Sequence, residues 1–434
     1  MSWSDHAIWW HVYPLGFLGA EPAALPPGEP PRDRLSALTP WLDHLVALGC
    51  NGLALGPVFA SETHGYDTVD HFRVDPRLGT EDSLVRLVEQ ASARGVRVLL
   101  DGVFNHVGRS FPAFADVSRH GAASRYAGWF HPEGDGHRCF EGHRHLVTLN
   151  HDDPEVADHV ADVMGHWLDR GVAGWRLDAA YAVPRAFWRT VTDRVRRRHP
   201  DAWFSGEVIH GDYTSYVTEG GLDTVTQYEL WKAVWSALND RNLYELAWAL
   251  KRHNAMLDTF APQTFLGNHD VTRLASRLQE PGHLAHALVV LLTVGGVPSV
   301  YAGDERAFLG VKEERIGGDD AIRPAFPADP AHFPPDGLSH QRLHQLLIGL
   351  RRRHPWLVRA RAEVHTLTNT ALTYTLADPA GPARLAVALN LAPHPADPAV
   401  PAAPWHHAAG PGTVTTDGRV HLPPTGWAIA TTHP

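Results

Sequence analysis

The chain is poor in cysteine, methionine and lysine, and it has no excess of positive charge. Two isolated thiols, Cys50 and Cys139, in 434 residues make no disulfide framework; they read as one small core residue and one loop residue. A net charge of −10 at pH 7 argues against nucleic acid or an anionic membrane as partner, because a phosphate surface attracts a basic face. Long hydrophobic runs are missing too. The longest, Leu284 to Ala302, is interrupted by His286, Gly295, Gly296 and Pro298. It reads as a buried helix running into a buried strand, not as a membrane span. Met1 to Tyr13 has no basic stretch followed by an apolar one, so no secretory signal is read and a cytoplasmic location is expected. Disorder is excluded by 44% hydrophobic against 20% charged residues, an ordinary globular balance.

What is present is an alternation of short apolar runs with amphipathic stretches. Ile8–Phe17 suits a strand, and Asp33–Leu48 carries Leu35, Leu38, Leu42, Leu45 and Leu48 at helical spacing. Gly52–Phe59 predicts a second strand, Thr80–Arg94 a helix capped by Thr80, and Val96–Val103 a third strand. From Gly108 to Asn150 the periodicity disappears into His, Gly, Arg and aromatics, which suggests an excursion inserted in the scaffold. Order resumes with a helix at Pro154–Asp169, a strand at Gly174–Ala179 and a proline-led helix at Pro184–Arg198. Strands follow at Trp203–Val208, Thr224–Glu229, Thr264–Gly267 and Val297–Tyr301, with helices at Asn242–Leu257, Val271–Leu292 and His340–Arg353.

Eight strand–helix units within about 350 residues predict an α/β fold, a (β/α)8 TIM barrel. The competing open sheet is weakened because no G-x-G-x-x-G follows the first strand. The barrel is expected over 1–106 and 151–354, with a small inserted domain after strand three over 107–150. Beyond Pro355, alternating β-branched segments at Val364–Leu376, Ala383–Leu391, Gly412–Thr415 and Gly426–Thr432 predict a C-terminal antiparallel β domain, sandwich-like, over 355–434.

Barrel chemistry sits at the carboxyl ends of the strands. There the sequence puts Asp101-Gly-Val-Phe-Asn105-His106, Gly174-Trp-Arg176-Leu-Asp178, Gly206-Glu207-Val208 and Gly267-Asn268-His269-Asp270. Taken singly, each carboxylate is an ion pair or a helix cap; converging on one rim they repel, which a purely structural role does not account for. Arg176 and Asp178, two apart on a strand, face the same way. The guanidinium is expected to keep Asp178 ionised, while Glu207, on the next strand with no adjacent cation, keeps a proton. One anionic and one protonated carboxyl, about 5–5.5 Å apart, are what a retaining glycosidase needs.

These four segments, in this order, resemble the signature regions of the α-amylase superfamily, glycoside hydrolase family 13. His64-Gly-Tyr66-Asp67 is similar to that family's second-strand loop, Leu149-Asn150 to the motif closing its inserted domain, and Gly296-Val-Pro-Ser-Val-Tyr-Ala-Gly303-Asp-Glu305 to its eighth strand. The resemblance covers roughly the first 350 residues. It implies Asp178 as nucleophile, Glu207 as general acid/base and Asp270 as the carboxylate gripping sugar hydroxyls. It implies Arg176 positioning Asp178, His106 and His269 bonding the sugar, Tyr66 stacking beneath it, Arg273 near the same subsite, and Asp101 and Asn105 in support. The implied substrate is an α-linked glucose oligosaccharide, with α-1,4 bonds suggested by Ala179.

The sequence also departs from the family. Ala179-Ala180-Tyr181-Ala182 stands where many members have a lysine–histidine pair, which weakens the expectation of the calcium site built on that histidine; no cofactor is required by this reading. Thr63, three before Tyr66, leans away from a sealed one-sugar pocket. Gly-Trp-Arg-Leu-Asp and Phe187-Trp188-Arg189 resemble maltogenic amylases and neopullulanases; the N-terminal β domain typical of those enzymes is not expected here, since strand one begins almost at Met1. His131, His137, Cys139, His143 and His145 match no metal-ligand spacing and read as a solvated loop. A transglycosylase or isomerase using the same residues, and a catalytically silent barrel acting as a binding or scaffold protein, stand as the alternatives. Oligomeric state has no signature in the sequence.

Overall fold

Eight short parallel strands form one sheet in the computed structural model, which describes residues 2–433 apart from 135, 316 and 334. They are β1 (Trp9–Val12), β2 (Gly52–Leu55), β3 (Arg97–Gly102), β4 (Gly174–Leu177), β5 (Trp203–Gly206), β6 (Thr224–Val225), β7 (Gln263–Phe265) and β8 (Val297–Tyr301). Neighbours in sequence are neighbours in space, and β8 returns to pair with β1, Trp9 opposite Ser299. The thin place lies between β6 and β7, where a single parallel bridge between Thr226 and Gln263 closes the ring. The fold is a (β/α)8 barrel.

Local chemistry explains the helices between the strands. The Ser83 N–H donates to Thr80 Oγ1 at 3.3 Å, which starts helix Glu81–Ser92. Asp153 caps helix Pro154–Leu168 ahead of its N1 proline. Gly49, at φ 99°, stops helix Thr39–Leu48 in a conformation that costs other residues dearly. Inside the amino end of the barrel Trp9 and Trp203 stack with centroids 5.3 Å apart. Gly52 makes room for them: a Cβ there would stand 2.3 Å from the Trp9 ring.

Several boundaries differ from expectation. The first strand ends at Val12, because Pro14 opens a helical turn, Pro14–Phe17. Val271–Leu292 is not one helix: Pro281 and Gly282 separate Leu274–Arg277 from Leu284–Thr293. Thr224–Glu229 shrinks to β6, and Tyr228 begins a helix, Tyr228–Asn239, that aromatic content had disguised as strand. Val364–Leu376 is a hairpin, Glu363–Leu367 paired with Ala371–Ala377, turned by the Thr368 hydroxyl accepting from the Ala371 N–H.

These two strands, β9 and β10, open a five-stranded antiparallel sheet with β11 (Arg384–Asn390), β12 (His406–Ala409) and β13 (Trp427–Thr431), in the order β9-β10-β11-β13-β12. A two-stranded ribbon, Thr413–Val414 with Val420–His421, packs Val414 and Val420 against Trp405, Ala386 and Ala430. The sheet is tied to the barrel through buried His286, whose Nε2 lies 3.1 Å from the Asn390 carbonyl oxygen and 3.2 Å from that of Gly426. Between β3 and helix Pro154–Leu168 the inserted stretch holds a helix, Pro112–His120, and short paired strands; His106–Val107 pairs with Val147–Thr148 and anchors its two ends. No described helix is long and apolar enough to cross a membrane.

Candidate active site

Strand register sets the site. Leu177 is opposite Gly206, so Asp178 and Glu207 leave adjacent strands at the same level, and the Glu207 N–H donates to the Leu177 carbonyl at 2.9 Å. Arg176 is opposite Asp101. Its Nη1 donates to both Asp101 oxygens at 2.8 Å and to Asp178 Oδ1 at 2.9 Å. Its Nη2 lies 2.6 Å from Glu207 Oε1. One guanidinium therefore bridges three carboxyls from three strands. Bidentate and forked donation of this kind is what arginine offers and lysine lacks.

This arrangement corrects the charge assignment read from the sequence. Glu207 does have a cation, the one Asp178 has, and it accepts as well from the Ala179 N–H (3.0 Å) and the Tyr228 hydroxyl (3.2 Å). Burial raises the Asp178 carboxyl well above its usual range; Arg176 opposes this, and Glu207, Asp101 and Asp270 add to it. Burial raises Asp101 as well, against the pull of Arg176. At Asp270 burial loses: His269, Arg323 and Arg176 hold that carboxyl well below the aspartate range. The cluster as a whole thus retains a proton to higher pH than a solvated aspartate would, and that proton belongs to the interacting set.

Asp270 stands across the rim. Its Oδ2 is 3.0 Å from His269 Nε2, and its Oδ1 accepts from Arg323 at 3.0 Å. The Tyr66 hydroxyl meets Asp101 Oδ2 at 3.1 Å and the His269 ring nitrogen, and the two rings lie parallel with centroids 5.3 Å apart. His106 is buried, stacked on Phe140 at 4.7 Å, and burial pushes its imidazole down to about 3. His106 Nε2 and His269 Nδ1 are buried without a hydrogen-bond partner among the described residues. His11, Asp101, Arg176, Glu207, Tyr228, Asn268 and His269 line the pocket below.

Arg273, expected on the sugar subsite, sits behind it instead. It is 1% exposed; Nη1 donates to Asp304 Oδ1 (2.8 Å) and the Ala302 carbonyl (2.9 Å), and Nη2 to the Ile322 carbonyl (3.0 Å). It braces the segment that presents the next residue, Arg323. That arginine, missed in the sequence, donates to Asp270 and to the His269 carbonyl (2.8 Å) and covers the Tyr13 ring at 4.6 Å. Arg323 lies in an aperiodic loop, and no spacing marks it. Tyr228 was hidden by the strand reading of its segment. Among the described residues no group of three or more His, Cys, Asp or Glu is placed to hold a metal ion.

Residues 12–333 match the family model described as "Alpha amylase, catalytic domain", and the chain belongs to the alpha-amylase family. It is 31% identical over 384 residues to a cyclomaltodextrinase of Geobacillus thermopakistaniensis, covering 81% of this chain and 63% of that protein. It is 31% identical over 330 residues to an intracellular maltogenic amylase of Bacillus subtilis, covering 70% of this chain and 56% of that protein. The chain therefore spans under two thirds of the length of these curated relatives. Among solved structures, a cyclic α-maltosyl-(1→6)-maltose hydrolase of Arthrobacter globiformis superposes with a TM-score of 0.84 at 27% identity, each chain covered completely.

Proposed function

We propose that the chain is a retaining glycoside hydrolase that cleaves α-1,4-linked gluco-oligosaccharides through a covalent glycosyl-enzyme. The observation that carries this reading is the Arg176 guanidinium joining Asp178 and Glu207 at the ends of adjacent strands. A single bridging group keeps the two carboxyls close, as direct attack by one of them requires.

In the first step the proton that the carboxyl cluster retains passes through Glu207 to the glycosidic oxygen as that bond breaks, and the Asp178 carboxylate attacks the anomeric carbon, forming a glycosyl ester. In the second, the Glu207 carboxylate takes a proton from water; the resulting hydroxyl bonds to the anomeric carbon and Asp178 leaves as carboxylate. Arg176 holds both groups and offsets the charge that moves between them. Asp270, with His269 and Arg323 behind it, accepts from sugar hydroxyls, His106 Nε2 supplies a further hydrogen bond, and Tyr66 lies beneath the ring.

Asp178→Asn and Glu207→Gln should each lower turnover of maltotriose by roughly 10³-fold or more while leaving the thermal transition in place. Near-normal activity in either variant ends the assignment. The full-length match to a hydrolase of cyclic α-maltosyl-(1→6)-maltose favours a second reading, a cyclic oligosaccharide as substrate. Chromatography of products from maltose, maltotriose, trehalose, sucrose, starch and that cyclic tetrasaccharide separates the two, and exposes transfer or isomerisation if either occurs. Action in the cytoplasm belongs to the same proposal, supported by the intracellular relative; cell fractionation tests it.

A further inference from the structure

Three donors hold the Glu207 carboxyl, and they are not alike. The Arg176 guanidinium, 2.6 Å from Oε1, also serves Asp101 and Asp178. The Ala179 N–H, 3.0 Å from Oε2, is backbone and cannot turn away. The Tyr228 hydroxyl, 3.2 Å from Oε1, is a side-chain donor with no other acceptor to serve.

The direction of that last bond is set from the opposite rim. Asn268 Oδ1 accepts from the Asp270 N–H at 2.9 Å, which turns the amide so that Nδ2 donates to the Tyr228 hydroxyl oxygen at 2.8 Å. A phenol has one proton. With Asn268 donating to Tyr228, that proton points at Glu207. Burial raises the phenol well above its ordinary range, so it stays a donor through neutral pH. The ring is wedged edge-on against Phe265 and Trp231, with centroids 4.9 Å and 5.8 Å away. The same segment grips the residue after Glu207: the Val208 N–H donates to Thr226 Oγ1 at 3.0 Å. Both grips come from the seam between β6 and β7, where the barrel closes through one bridge.

We propose that Tyr228 is a positioning residue for Glu207: its hydroxyl, aimed by Asn268, fixes where the carboxyl points and the pH at which it passes on its proton. The inference rests on the glycosidase reading above. The other groups facing Glu207 are Arg176 and Asp178 from β4, Asp101 from β3 and Tyr181 from the loop after β4, with Asp270 beyond Asn268. All of them remain when the Tyr228 hydroxyl is removed. A donor to a carboxylate favours its charged form, so losing one leaves the carboxyls holding their shared proton to higher pH. In the glycosyl-enzyme Asp178 is an ester and does not titrate, so the second step reads Glu207 more directly.

Two pH profiles test this. The basic limb of kcat/KM for maltotriose reports the proton that releases the departing sugar. The acid limb of kcat for α-glucosyl fluoride, whose leaving group needs no acid, reports Glu207 as base in the second step. In Tyr228→Phe, which keeps the ring, both limbs should move to higher pH by about 0.5–1 pH unit, the size of a single hydrogen bond, at an unchanged melting temperature. Asn268→Asp keeps an oxygen for the Asp270 N–H and offers a second one to the Tyr228 proton. It should move both limbs the same way, and it carries the test should Tyr228→Phe melt early. Limbs that stay in place overturn the proposal whatever happens to the rate, since a packing role alone lowers the rate without moving them; limbs that move to lower pH overturn it too. A wild-type enzyme that turns over neither substrate removes the glycosidase reading, and this assignment with it.

Discussion

At the level of single residues, Arg176 faces Asp101, Asp178 and Glu207 at once, while Arg323 and His269 hold Asp270. The site therefore has more buried carboxyl charge than cation to meet it, and protons rather than further cations make up the difference. Asp101 is the carboxyl of this set that the proposed chemistry does not use directly, and its charge raises Asp178. Asp101→Asn should keep a hydrogen bond from Tyr66 and from Arg176 yet remove that repulsion. The Asp178 carboxyl then ionises at lower pH, so the acid limb of the kcat/KM profile should move to lower pH. A limb that stays fixed or moves upward contradicts this account of the cluster.

Among the elements, β4 and β5 matter most, because they carry Asp178 and Glu207 one residue beyond their last paired positions. Gly174 begins that pairing opposite Trp203, and a Cβ on Gly174 would lie 2.0 Å from the Trp203 carbonyl oxygen. Backbone atoms do not swing aside as a flexible side chain does. Gly174→Ala should force the two strands apart, lowering stability by about 1–3 kcal/mol as overpacking does and reducing kcat as the carboxyls lose register. Urea denaturation followed beside activity tests both halves; a variant with wild-type midpoint and rate shows that the strands adjust without cost. The strand itself was legible in the sequence, as were the Thr80 cap and the helix that follows Pro184. What stayed hidden was the helix at Tyr228–Asn239 and the break at Pro281, where aromatic and apolar runs serve helix and strand alike.

For the whole molecule, buried imidazoles set the response to acid. Burial pushes His71 and His106 down to about 3, and His151, His159, His253 and His286 to about 4. Their positions tie the fold together: His253 Nε2 is 2.9 Å from the Gly295 carbonyl oxygen, His71 Nε2 2.9 Å from that of Val103, and His286 joins barrel to C-terminal sheet. The native state keeps these rings neutral, whereas the unfolded chain protonates them near 6.5. The unfolded state then binds more protons below that value, so stability falls as pH drops from about 6.5 toward about 4. The raised carboxyls Asp101, Asp178, Asp223 and Asp304 act in the opposite sense, but they are fewer. Melting temperature should therefore fall steeply between pH 7 and pH 4.5; a flat or rising profile runs against it.

The sequence by itself determined the barrel class and the residues at four of its strand ends, because period and turn chemistry are local and strand ends fall where a run of apolar residues stops. It also carried Asp178, Glu207 and Asp270 as the carboxyls to watch. Tertiary structure alone decided how charge is shared among them: Arg176 reaches Glu207 as well as Asp178, Arg273 turns into the interior, and Arg323 comes to Asp270 from a loop 53 residues along the chain. The contact between Tyr181 and Glu141 spans 40 residues. Interactions of that kind depend on where the closed barrel brings distant loops together, and no period in the chain encodes them.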